Sequence, residues 1–102
     1  MTKALSNAEA IKEIKRIARD GRIRFSKNHF WKKQRKRKID MTDVQRVIRG
    51  GYIEENSAPE YDSNHDVYKY RVWGNIDKKN ICVVVALRHE ENAIDIITVF
   101  ED

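Results

Sequence analysis

Six of the seven positions from Lys32 to Lys38 are cations, Gln34 being the exception, directly behind His29, Phe30 and Trp31. Arginine and lysine hold phosphate through charge-assisted hydrogen bonds, and an indole or phenyl ring can stack on a base. His29 lies four residues before Lys33 and eight before Arg37, so on a helix the three form one ridge. Neighbouring cations favour the neutral imidazole, the form a general base needs near neutral pH. The same spacing suits a histidine that merely caps or packs at a helix start, and Phe30 is as well suited to a core as to stacking. A run of charge most often marks a solvated face, yet residues 28 to 39 contain no acid, whereas a helix that is only soluble mixes signs. A second constellation follows from alternation along residues 67 to 73. Val67, Lys69, Arg71 and Trp73 share one strand face, with Tyr68, Tyr70 and Val72 on the other. Two cations and an indole make a platform for a nucleic-acid backbone, or else a cation–π pair of Arg71 with Trp73. One cysteine and three scattered histidines, without H-x-x-x-H or C-x-x-C spacing, offer no zinc set. No phosphate loop or nucleophile elbow is present, so neither a metal nor a cofactor is expected.

Charge is polarised along the chain. Residues 1 to 50 carry 16 Lys and Arg against 5 Asp and Glu, a surplus of +11; residues 51 to 102 hold 5 and 11, a balance of −6, and the two sum to +5. With a pI near 9.4, this is the electrostatic footprint of a polyanion binder, and RNA or DNA is the first partner to consider. At 102 residues the chain suits a single domain, residues 1 to 102, with one core. Cys82 lies inside an apolar run, as a buried thiol in a reducing compartment does. The longest apolar run falls far short of a membrane span, and the amino terminus lacks the apolar core of a secretory signal. The expected location is the cytoplasm, with no membrane partner.

The elements that must position these groups follow from local pattern. Ser6 to Glu9 reads as a capping box, with Ile11, Ile14, Ile17 and Ala18 at helical spacing behind it; Lys12, Lys15, Arg16 and Arg19 face water, and Gly21 supplies a left-handed stop. Residues 22 to 25 alternate as a short strand. Ser26 or Asn28 caps a second helix through the basic run, where like charges three or four apart repel by a few tenths of a kcal/mol each until an anion binds. Asp40 or Thr42 caps a third helix with Val44, Val47 and Ile48 on its core face, ended by Gly50 and Gly51. Tyr52 and Ile53 begin a possible strand, and residues 56 to 66 read as an acidic surface loop. Residues 67–73, 81–87 and 93–100 read as three strands, with turns at 74–80 and 90–92. Turns this short permit hairpins only, so the sheet is expected to be antiparallel. The middle strand is apolar on both faces, as a strand covered on both sides is. The sum is an α+β domain: three amino-terminal helices on an antiparallel sheet of about four strands.

The stretch from His29 to Ile39, followed by Met41-Thr42-Asp43-Val44, resembles a family of small bacterial domains. Their pattern is His-Ala-x-x-Arg-Met-x-x-Arg-Gly-Ile, then a capped helix, then strands ending in Ile-Thr-Val-aromatic, as residues 97 to 100 do here. That family is similar, distantly, to the MqsR and RelE toxins, mRNA-cleaving proteins that pair with an antitoxin. Residues 66 to 72 likewise resemble the Asp-Val-Tyr-Arg-x-Arg-Leu strand of MqsR. Phe30, Lys33, Gln34 and Lys38 stand where the pattern has Ala, Arg, Met and Gly; His65 and Glu101 stand where MqsR toxins have Gln and Lys. The resemblance implies a RelE/MqsR-like fold and a metal-independent endoribonuclease, an mRNA interferase of a toxin–antitoxin system. Under it, His29 is the acid or base and Arg71 with Lys33 or Arg37 clamps phosphate, while Tyr68 or Tyr70 is a second proton donor or stacking group. Trp31, Lys32, Arg35, Lys36, Lys38 and Lys69 hold RNA. It implies as partners RNA, an antitoxin with an acidic surface and, as a further candidate, the ribosome. The residues alone equally allow a non-catalytic RNA- or DNA-binding module, or a protein-interaction domain with a basic patch.

Overall fold

The computed structural model describes residues 4–25 and 39–101. Helix α1 spans Asn7–Asp20, strand β1 Arg22–Phe25, helix α2 Met41–Gly50, β2 Glu60–Asp62, β3 Val67–Ile76, β4 Lys79–Arg88 and β5 Ala93–Glu101, with a 3₁₀ turn over His89–Glu91. Both helices start with reciprocal caps. The Glu9 amide donates to Ser6 Oγ at 3.2 Å and the Ser6 amide to Glu9 Oε1 at 3.3 Å. The Asp43 amide donates to Asp40 Oδ1 at 2.9 Å, which settles the start of α2 at Asp40. Each pair satisfies amides that have no partner within the helix. Ile14, Ile17 and Ala18 of α1 and Val44, Val47 and Ile48 of α2 are buried at the spacing the sequence sets out. Gly21 differs from expectation: at φ −109° it is not left-handed. A Cβ there would lie 2.5 Å from the Asn92 carbonyl oxygen, so close approach is what that position requires.

The sheet is where expectation and structure part. The domain is α+β, but the described residues hold two helices, and the sheet is five-stranded and mixed, in the order β1-β5-β4-β3-β2. The expected second helix falls in residues 26–38, outside the described residues. The argument from short turns holds for β3, β4 and β5, which form consecutive antiparallel hairpins. It says nothing about β1, whose partner is β5 at the far end of the chain, paired in parallel from Arg22↔Ala93 to Phe25↔Ile96. The fifth strand, β2, lies within the acidic stretch read as a loop and pairs with β3 at Glu60↔Lys69. Edge strands tolerate such charge and a flanking proline because one side of the strand needs no partner. Tyr52 contributes only an isolated bridge to Trp73. The β3–β4 hairpin is longer than expected, with Ile76↔Lys79 its last pair. Its turn is Asp77-Lys78, both at positive φ (51° and 68°), the signature of a type I′ turn.

One sheet face packs on the helices. Tyr70 and Val72 of β3, Ile81, Val83, Val85 and Leu87 of β4, and Ile94, Ile96 and Val99 of β5 form the core with both helices. The spacing of that last set is irregular because Ile97 is a bulge, with Val84 opposite Thr98 but Val85 opposite Ile96. Every residue from Ile81 to Leu87 is buried, as a central strand requires. Among the described residues no helix is long and apolar enough to cross a membrane.

Candidate nucleic-acid interface

The outer sheet face, away from α1 and α2, is set by the ladder register. Directly opposed residues of an antiparallel pair project to the same side. One row across β3, β4 and β5 is therefore Trp73, Cys82, Phe100; the next is Arg71, Val84, Thr98; the next is Lys69, Ala86, Asp95. Cys82, Val84 and Ala86 are small, so the central strand forms a trough between larger side chains on either side. Arg71 is exposed and Lys69 partly so. Among the described residues no carboxylate stands within ion-pairing distance of either. The two line a groove whose far wall is the segment from Ser57 to Glu60. A groove of this kind can hold a phosphate between two cations, with Glu60 the one acid among the described residues that line it.

At the top of the same face the rings of Trp73 and Phe100 meet edge to face, 5.7 Å between centroids at 89°, over a fully buried Cys82. Burial pushes the Cys82 thiol up to about 11, partly offset by the charge of Arg71, so it is a packed thiol and not a nucleophile. At the other end Asp95 gathers two arginines, accepting from Arg24 Nε and from Arg88 Nε, each at 2.6 Å. Burial raises the Asp95 carboxyl, but the two guanidinium hydrogen bonds outweigh it and the net shift is downward. Arg24 and Arg88 are thus neutralised locally, whereas among the described residues no carboxylate pairs with Arg71 or Lys69.

Tyr70 is on the opposite face from Arg71. It is 2% exposed, and its hydroxyl donates to the Leu5 carbonyl and accepts from the Leu5 amide, both at 3.0 Å. Burial raises its pKa, against the Leu5 backbone hydrogen bond that lowers it. Tyr70 and Arg71 thus stand on opposite faces, as alternation along the strand places them, and the Tyr70 hydroxyl, which the resemblance grouped with Arg71 in one site, has a structural partner in Leu5. His29, Lys33 and Arg37, and with them Trp31, Lys32, Arg35, Lys36 and Lys38, lie outside the described residues. The other histidines are paired with acids: His65 Nδ1 is 3.0 Å from Asp62 and His89 Nδ1 3.3 Å from Glu13. Among the described residues no group of three or more His, Cys, Asp or Glu is disposed to hold a metal. Phe100 was missed in the sequence. Alternation from Ile94 would turn it inward, and only the bulge at Ile97 brings it out beside Trp73.

These features define an α+β domain with a cationic and aromatic sheet face. Residues 26–101 match the family described as Domain of unknown function (DUF4258), and the chain belongs to that family. No curated protein and no solved structure shows significant similarity to it.

Proposed function

We propose that this protein is a toxin-like endoribonuclease of a bacterial toxin–antitoxin pair, acting in the cytoplasm on RNA without a metal. The reading joins the resemblance to MqsR and RelE toxins to one observation: Lys69 and Arg71 line a groove on the outer sheet face with no ion-pairing carboxylate among the described residues. In the reaction, the ribose 2′-oxygen attacks the adjacent phosphorus, a cyclic 2′,3′-phosphate forms, and the 5′-oxygen leaves with a proton. This requires a base, cations for the charge gathering on the phosphoryl oxygens, and an acid for the leaving group. Arg71 and Lys69 supply the cations, with Lys33 or Arg37, and His29 is the acid or base. Tyr70 takes no part, since its hydroxyl is held by Leu5. The basic run holds the substrate strand, and an antitoxin with an acidic surface silences the protein by covering these cations. The ribosome is a further partner to supply in the assay.

The test is cleavage of a long RNA in EDTA by the wild type, His29→Ala and Arg71→Ala. Cleavage by the wild type, lost in both variants while His29→Ala keeps its RNA affinity, supports the reading. Binding with a steep salt dependence but no cleavage, with ribosomes supplied, makes the protein a binding module. No salt-sensitive affinity for RNA leaves a protein partner as the ligand of the basic face.

A further inference from the structure

We infer that the strand this face accepts is unpaired, with one base stacked at the Trp73–Phe100 pair while the neighbouring phosphate lies between Arg71 and Lys69. The inference rests on the reading of the Lys69–Arg71 groove as a phosphate site, and it adds what kind of nucleic acid enters.

Trp73 and Arg71 are two residues apart on β3, so their side chains leave the same face about 7 Å from one another. That step is comparable with the reach from a nucleotide's base to its phosphate. The aromatic row is partly exposed, and an edge-to-face pair leaves ring surface that its partner does not cover. The rings are also fixed in place, since they meet over Cys82, and the Trp73 backbone is bonded to Tyr52 on the other side at 2.7 and 2.9 Å. A pre-set ring loses little freedom on stacking, and stacking is available only to a base whose own faces are free. In a duplex those faces are already occupied by neighbouring base pairs.

The other aromatic pair among the described residues provides the contrast. Tyr61 and Tyr68 lie 5.0 Å apart, but the Tyr61 hydroxyl donates to Asp66 at 2.7 Å, and Asp62 stands next to it in sequence. A phosphate beside that pair would meet carboxylates; beside Trp73 it meets Arg71.

Trp73 can report on itself. The chain has two tryptophans, so in a Trp31→Phe background the emission is that of Trp73. The probe is a short labelled single-stranded DNA, which lacks the 2′-hydroxyl and is not cut by 2′-oxygen attack, compared with the same sequence as a duplex. Trp73 emission should fall with the midpoint at which the label's anisotropy rises. The single strand should bind about tenfold more tightly than the duplex, and Trp73→Ala should remove about that factor for the strand alone. Arg71→Ala should weaken both forms. Binding seen by anisotropy with Trp73 emission unchanged, or a duplex bound as tightly as the strand, overturns the inference. If Arg71→Ala leaves affinity for both forms intact, the phosphate site itself is wrong, and the inference falls with it. Quenching by the single strand from a protein that never cuts RNA upholds the inference and removes the nuclease reading.

Discussion

Tyr70→Phe separates the structural from the catalytic reading of this tyrosine. The substitution keeps the ring, so the core loses no packing volume, and removes only the hydroxyl. That oxygen makes two hydrogen bonds at 3.0 Å, to the amide and the carbonyl of Leu5, sixty-five residues away in sequence. Leu5 directly precedes Ser6, the cap of α1, so the two bonds fasten the entry of the first helix to β3. Each bond is worth about 1 kcal/mol net, and the Leu5 groups left behind are partly shielded from water. The expected loss is roughly 2 kcal/mol, which for a domain of this size lowers the thermal midpoint by roughly 10 °C. Circular dichroism followed through heating and through urea checks the magnitude. RNA cleavage measured well below both midpoints should be the same for the variant as for the wild type. An unchanged midpoint together with lost cleavage would refute the argument, because it would mean that the hydroxyl serves the reaction and not the fold.

Three further outcomes follow from the same geometry. Lys78→Gly should stabilise the protein by about 1 kcal/mol, because Lys78 sits at φ 68° in the β3–β4 turn and Asp-Gly is a preferred type I′ pair; a urea midpoint that falls would contradict the turn assignment. Gly50→Ala and Gly51→Ala should differ in sign. A Cβ at Gly50, the last residue of α2, meets nothing within 4 Å, whereas one at Gly51 would lie 2.3 Å from the Val47 carbonyl oxygen and 2.4 Å from that of Trp73. The first should gain about 0.5 kcal/mol. The second should lose about 2 kcal/mol or more as the Tyr52–Trp73 bridge opens, and equal midpoints would count against the close approach. Asp95→Asn should cost about 1–2 kcal/mol at neutral pH by leaving Arg24 and Arg88 without their carboxylate. Because the folded pKa of Asp95 is lowered, its contribution is present above the unfolded value near 3.8 and disappears as pH falls through the folded one. The acid limb of the stability–pH curve should therefore be shallower in the variant, and a limb that superimposes on the wild type would remove Asp95 from the account.

What the sequence determined alone is what local physics controls. Capping pairs at Ser6–Glu9 and Asp40–Asp43 and apolar positions at helical spacing place α1 and α2 without reference to the rest of the chain. Alternation from Val67 to Trp73 places Lys69 and Arg71 on one face and Tyr70 on the other, since side chains of successive strand residues point to opposite sides. It does not say which face meets the helices, and so did not say that Tyr70 is the one buried against them. The parallel union of β1 with β5, the pairing of acidic β2 and the bulge that turns Phe100 outward are decided between segments distant in the chain. No local period encodes such pairings, because they depend on which edges are left unpaired once the central hairpins have formed. The same holds for the Leu5–Tyr70 bonds and for the meeting of Trp73 with Phe100. A cationic chain could be read directly; a cationic row beside a fixed aromatic pair is a property of the folded sheet.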